Sequence, residues 1–241
     1  MSPYNFIIKP RDKALSFDDI HFSKKNKAVL DQFLSEFKHR EALQTYDLQV
    51  DNKILMFGHT GCGKTAAARA IADRLGKKII ILDLGNVVSS RLGETAKNIT
   101  AIFSKASREY SVLFIDEFDA IGIIRNHDQK ESGEMRRLVN SIIQSIDNLS
   151  SNTLFIAATN NKDAIDSALL RRFQLKLKFE LPIQEELDNY YNSLLKKYPR
   201  EFRDIKRVYN ISFAEAKDIT LRFIKLKVID SEEVRLKNIV G

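Results

Sequence analysis

A chain of 241 residues, 44% apolar and 29% charged, has room for one large core and a smaller second domain, and its composition is that of a globular protein. No stretch approaches the roughly 20 uninterrupted apolar residues of a membrane helix, and "MSPYNFIIKPRDK" lacks the charged, apolar and small-residue order of a secretory signal, so a cytoplasmic location is expected. One cysteine excludes an internal disulfide framework, four scattered histidines give no metal-ligand spacing, and the net charge of +7 is spread along the chain and reads mainly as solvated surface, with nucleic acid or an acidic partner the lesser option.

Taken in chain order, residues 1–45 read as an N-terminal arm and a leading amphipathic helix, about 23 to 40, entered through "SFDDI" and capped near Ser23. Strand-length apolar runs follow at 53–57, 78–84, 111–116, 153–159 and 175–181, with helical-period segments between them at 63–75, 94–109 and 133–148. This alternation predicts a three-layer α/β core over 46–181, a mostly parallel sheet with helices on both faces, because each parallel crossover needs a helix. After Pro182 the strand-like runs stop, and three segments, 183–198, 212–226 and 231–240, read as helices of a small domain over 182–241.

"GHTGCGKT", 58–65, fits the phosphate-loop pattern without a substitution, between a strand-like run and a helical one. Its glycines let successive backbone N–H groups curl onto phosphates. Lys64 is placed to reach the β/γ oxygens and the Thr65 hydroxyl to meet Mg²⁺. The candidate nucleotide contacts are therefore Thr60, Gly61, Cys62, Gly63, Lys64, Thr65 and Ala66. "VLFIDE", 112–117, ends a buried strand on Asp116, a second candidate for Mg²⁺, followed by Glu117, the natural group to orient and deprotonate an attacking water. "AATN" ends the next strand on Asn160, expected to position that water opposite Glu117. Arg171 and Arg172 precede the last strand, and a guanidinium suits charge on a transferring phosphoryl group. Cys62, at a helix N-terminus, is expected to have a lowered thiol pKa and raised reactivity.

These residues together resemble the AAA ATPases of the broader AAA+ group, here as a compact bacterial-type single module, with the landmarks in family order from "SFDDI" to Glu215. "GHTGCGKT" looks like Walker A, "VLFIDEFD" like Walker B, and "GEMRRLVNSIIQSID" like the second region of homology, with "AATN" as sensor 1 and "LLRRF" as the arginine fingers. The short "RRF" form is similar to the katanin and spastin branch. The resemblance implies that "DDI", with Asp19 and Ile20, lies along the adenine, and that "SFAEA", 212–216, is the lid segment that closes on the nucleotide. It implies ATP and Mg²⁺ as cofactors, and a homo-oligomeric ring, a hexamer in most members, whose sites are completed by a neighbour. It also implies a protein substrate, with a separately encoded subtilisin-like protease as one candidate partner, and no membrane.

Three positions depart from the family pattern. Arg91 and Leu92 stand where members carry an aromatic–apolar pair that grips polypeptide; Arg91 reads either as an exposed loop residue or as a group that favours an acidic polypeptide or a nucleic-acid phosphate. His21 replaces the glycine usual after "DD[IV]", and a second pore-facing loop, 124–132, has mixed charge. "SFAEA" carries no arginine, unlike the clades of clamp loaders and replication initiators. With about fifty residues before the core, no independent substrate-recognition domain is expected there. Three functions follow: a remodelling ATPase acting on protein, an accessory ATPase for transposition or helicase loading, and a nucleotide-switched binding module, against which Glu117 and Asn160 argue.

Overall fold

The computed structural model describes residues 7–8, 17, 20, 22–84, 92–123 and 131–240. The chain clusters into two compact units, one of Met1–Gly58 with Lys64–Phe179, the other of His59–Gly63 with Glu180–Gly241.

The first unit is built on a six-stranded sheet: β1 (Ile7–Ile8), β2 (Lys53–Gly58), β3 (Ile79–Asp83), β4 (Val112–Asp116), β5 (Leu154–Thr159) and β6 (Leu175–Phe179), in the order β1-β3-β4-β5-β2-β6. Only β1 is antiparallel. Its helices are α1 (Lys24–Lys38), α2 (Arg40–Gln44), α3 (Lys64–Arg74), α4 (Leu92–Arg108), α5 (Ala120–Ile123), α6 (Glu131–Asp147) and α7 (Ser167–Leu170). β4 and β5 are buried along nearly their whole length, as parallel strands covered on both faces must be, which is why they read as unbroken apolar runs. β6 alternates instead: Leu175, Leu177 and Phe179 face inward while Lys176 and Lys178 are exposed on this edge strand, where lysines discourage pairing with another chain.

The main core gathers Phe103 of α4, Phe118, Phe155 of β5 and Phe173, with ring centroids 5.4 to 6.2 Å apart. Ser23 caps α1, its hydroxyl accepting from the Asn26 amide at 3.3 Å. At the end of β2, Gly58 has φ +127°, and a Cβ there would stand 2.0 Å from the Phe179 carbonyl oxygen; only glycine lets β2 turn off beside β6. The chain leaves β2 toward β3 on one side, whereas β5 is followed by β6 on the other, so the direction reverses between β2 and β5. Open α/β sheets hold ligands at the carboxyl ends of the strands flanking such a reversal.

The second unit holds α8 (Gln184–Leu195), a 3-10 turn at Arg200–Phe202 and α9 (Phe213–Val240). Leu187, Tyr191 and Ala216 form its core, with the Tyr191 hydroxyl donating to the Val208 carbonyl at 2.8 Å. The two last predicted helices are one: residues 227–234, "KVIDSEEV", contain neither glycine nor proline to stop the helix. α9 begins with a capping box, Ser212 Oγ accepting from the Glu215 amide at 3.3 Å while Glu215 Oε2 accepts from the Ser212 amide at 2.8 Å. The adjacent Ala214 amide donates to the carbonyl of Gly61, at 3.1 Å, so loop 59–63 is tied to the first turn of α9.

Candidate functional site

Three strand ends meet at the reversal point. Phe57 pairs with Thr159 across β2 and β5, so Gly58 and Asn160 leave the sheet side by side, and Lys64 opens α3 beneath them. Lys64 is 7% exposed, and an ammonium so far from water needs acceptors. Its Nζ donates to the Gly58 carbonyl and to Asn160 Oδ1, both at 2.8 Å. Asn160, expected opposite Glu117, is thus held by Lys64.

Asp116 ends β4 with both carboxylate oxygens engaged: Oδ2 accepts from the Thr65 hydroxyl at 2.8 Å and Oδ1 from the Glu117 amide at 3.0 Å. The two residues expected to meet Mg²⁺, from elements 51 positions apart, are therefore in direct contact. Glu117 itself is exposed and sits at φ +52°, a left-handed conformation that costs a non-glycine residue about 1–2 kcal/mol and turns the chain sharply out of the strand. Its carboxyl is pushed above the usual glutamate range, chiefly by the charge of Asp83, then by burial and by Asp116 and Asp119.

Neither Asp83 nor Asp119 was singled out from sequence. Asp83 lies opposite Asp116 in the β3–β4 register, and "IIILD" carries the same signal as "VLFID", a carboxylate closing an apolar run. Asp119 accepts from the Thr159 hydroxyl at 2.8 Å, and Thr159 Oγ1 in turn accepts from the Asn161 amide at 3.0 Å, which fixes the turn after β5.

In the loop, Gly63 has φ +96° with no atom within 4 Å of where a Cβ would stand, so its backbone lies open to an incoming group. The Cys62 thiol is buried, 3% exposed, with Sγ 3.8 Å from the Thr60 carbonyl. Its burial limits access to the thiol, against the expectation of raised reactivity. Thr60 is exposed and Ala66 half-buried in α3. Ile20 is half-buried, its amide donating to the Phe17 carbonyl at 3.3 Å; Asp19 and His21 lie outside the described residues, as do Arg91 and most of the 124–132 loop, while Leu92 begins α4.

These donors suit a polyphosphate with Mg²⁺. A nearly buried ammonium held by the Gly58 carbonyl and Asn160 Oδ1, and a hydroxyl paired to a carboxylate, match phosphate oxygens and a hard cation that keeps several of its waters. The residues that would hold Mg²⁺ are Thr65 and Asp116, already in contact; among the described residues no cluster of three or more histidines, cysteines and carboxylates is arranged to cage a metal. Arg172 is bonded to Asp147, and Arg171 is exposed.

The family model described as "ATPase family associated with various cellular activities (AAA)" matches residues 54–181. Among relatives, an uncharacterized AAA family ATPase, y4kL of Sinorhizobium fredii, is 36% identical over 216 residues, which cover 88% of this chain and 65% of that protein. A putative 26S proteasome regulatory subunit homolog of Methanothermobacter thermautotrophicus is 31% identical over 197 residues, 77% of this chain and 52% of that one. The peroxisomal ATPase PEX1 of Dictyostelium discoideum is 34% identical over 188 residues, 75% of this chain and 15% of that one. The chain thus spans between about half and two thirds of the length of the first two.

Proposed function

The chain belongs to the AAA ATPase family, and on that premise we propose that it is a Mg²⁺-dependent ATPase that oligomerises and couples hydrolysis to remodelling of a protein partner. The observation that carries this reading is the meeting of Lys64, Thr65, Asp116 and Asn160 at the ends of β2, β4 and β5. Lys64 exchanges its bonds to the Gly58 carbonyl and Asn160 Oδ1 for phosphate oxygens, which a cation with that little access to water favours strongly. The loop amides around Gly63 bind the same phosphates, and Asp19 and Ile20 border the adenine.

Bound between Thr65 and Asp116, Mg²⁺ would neutralise charge on the β and γ oxygens. Glu117 orients the attacking water and takes its proton. Asn160, released by Lys64 when phosphate arrives, holds that water from the other side. Arg171 and Arg172 are the candidates to reach a neighbour's γ-phosphate. In this reading 1–45 is the arm with its helix, 46–181 the nucleotide-binding core and 182–241 the lid; the "LLRRF" segment supports a place near katanin and spastin.

A protein partner, with a separately encoded protease as one candidate, is supported by relatives named for a proteasome regulatory subunit and for a peroxisomal ATPase. Among the described residues no helix is long and apolar enough to cross a membrane; a cytoplasmic location and a hexameric ring are the expectations that family resemblance carries. The test is ATP turnover with an unfolded acidic polypeptide or with duplex DNA added. Severalfold stimulation by polypeptide is expected. Stimulation by DNA alone, lost steeply as salt rises, would replace this reading with that of an accessory ATPase on nucleic acid.

A further inference from the structure

Arg171 and Arg172 are adjacent in sequence and differ sharply in surroundings. Arg172 donates from Nε to Asp147 Oδ1 and from Nη2 to Asp147 Oδ2, both at 2.9 Å, and from Nη1 to the Ala168 carbonyl at 2.6 Å. Every nitrogen of its guanidinium is engaged within its own subunit. The pairing is the two-pronged geometry in which a partly exposed ion pair keeps its strength, because the planar fork matches the carboxylate and little side-chain freedom is left to lose. Arg171 is exposed, and among the described residues its side chain has no hydrogen-bond or ion-pair partner.

The segment carrying both is pinned at several points. Asp166 caps α7, accepting from the Ala168 amide at 2.7 Å, and Leu169 and Phe173 are buried in the main core. The dock onto Asp147, the last residue of α6, is the remaining tie, and it joins the segment to the helix that leads into β5. A guanidinium must be unengaged to meet charge developing on a neighbour's phosphate.

We infer that Asp147 holds Arg172 as a positioning residue, and that Arg171 alone is the guanidinium offered to the neighbouring subunit's nucleotide. This rests on the proposed hydrolysis in trans and divides the labour of a pair that sequence alone leaves equivalent. Arg172 fixes the turn between α7 and β6 so that Arg171 projects from a rigid base. Loss of the dock therefore acts on turnover through Arg171, and removing either partner of the dock has the same effect as removing both.

The experiment measures kcat, KM and ATP affinity for Arg171→Ala, Arg172→Ala, Arg172→Lys, Asp147→Asn and the double variant Arg172→Ala/Asp147→Asn, with urea unfolding of each. Arg171→Ala is expected to lower kcat by about 1,000-fold with ATP affinity and the unfolding midpoint unchanged. Arg172→Ala and Asp147→Asn are each expected to lower kcat about tenfold with KM held, and the double variant no more than the worse single. Arg172→Lys, which cannot grip both carboxylate oxygens, should behave like Arg172→Ala. Multiplicative losses in the double variant, or an Arg172→Ala loss equal to that of Arg171→Ala with Asp147→Asn at the wild-type rate, would overturn the inference. So would urea midpoints showing no coupling between positions 147 and 172, whether or not turnover is measurable. A wild-type rate in Arg171→Ala would also overturn it, and a wild-type rate in both Arg171→Ala and Arg172→Ala would remove the trans step from the proposed function.

Discussion

Glu117→Gln is expected to lower ATP turnover by about 100- to 10,000-fold, the usual share of a positioned general base, while ATP still binds. The amide keeps the size and the hydrogen-bonding reach of the carboxylate and loses only the ability to accept a proton. Affinity should hold or rise, because Glu117 shares its corner with Asp83, Asp116 and Asp119, whose charges already resist its ionisation, and an incoming polyphosphate adds more negative charge. Removing one of four carboxylates relieves that repulsion. Single-turnover hydrolysis beside equilibrium binding of a fluorescent ATP analogue checks both halves; turnover within threefold of wild type would remove Glu117 from the reaction.

The second large effect is on binding. Lys64→Ala is expected to weaken ATP affinity by about 2–5 kcal/mol, roughly 30- to 5,000-fold, the cost of truncating one side of a desolvated charge pair. Lys64 is nearly buried, and its place in the protein without phosphate is already marked by its bonds to Gly58 and Asn160. The same substitution removes the ammonium that would meet charge on the β and γ oxygens, so turnover should fall even at saturating ATP. Calorimetric titration with Mg²⁺-ATP, with circular dichroism to show that the fold persists, is the check. Affinity within threefold of wild type would mean that the loop amides do the binding without it.

How much of this was legible in the sequence follows from the distance over which each signal acts. The five parallel strands and the helices between them announce themselves through apolar runs and helical period, and every run became a strand within one residue of its expected bounds, except that β6 stops at Phe179, two residues before the end of its run. β1, two residues long, is too short to carry a period, and its pairing with β3 is made by the rest of the sheet. The fused α9 was hidden for the opposite reason: residues 227–230 were left between two expected helices, yet nothing there breaks a helix.

At the site, the phosphate loop and "VLFIDE" are local strings whose residue types imply their chemistry. What the sequence did not reveal are the ties between strings: Lys64 with Asn160 across 96 positions, Thr159 with Asp119 across 40, and Arg172 with Asp147 across 25. Adjacent arginines look alike as letters. Only the fold places a carboxylate against one and solvent against the other.

The central claim is that each site is completed by a second copy of the chain, and it is tested most directly by wild-type ATP turnover per protomer as protein concentration is varied at saturating Mg²⁺-ATP, with the mass in solution followed in parallel. Specific activity is expected to rise cooperatively with assembly and to vanish in the monomer, while the monomer still binds ATP. Undiminished specific activity in a proven monomer would contradict it.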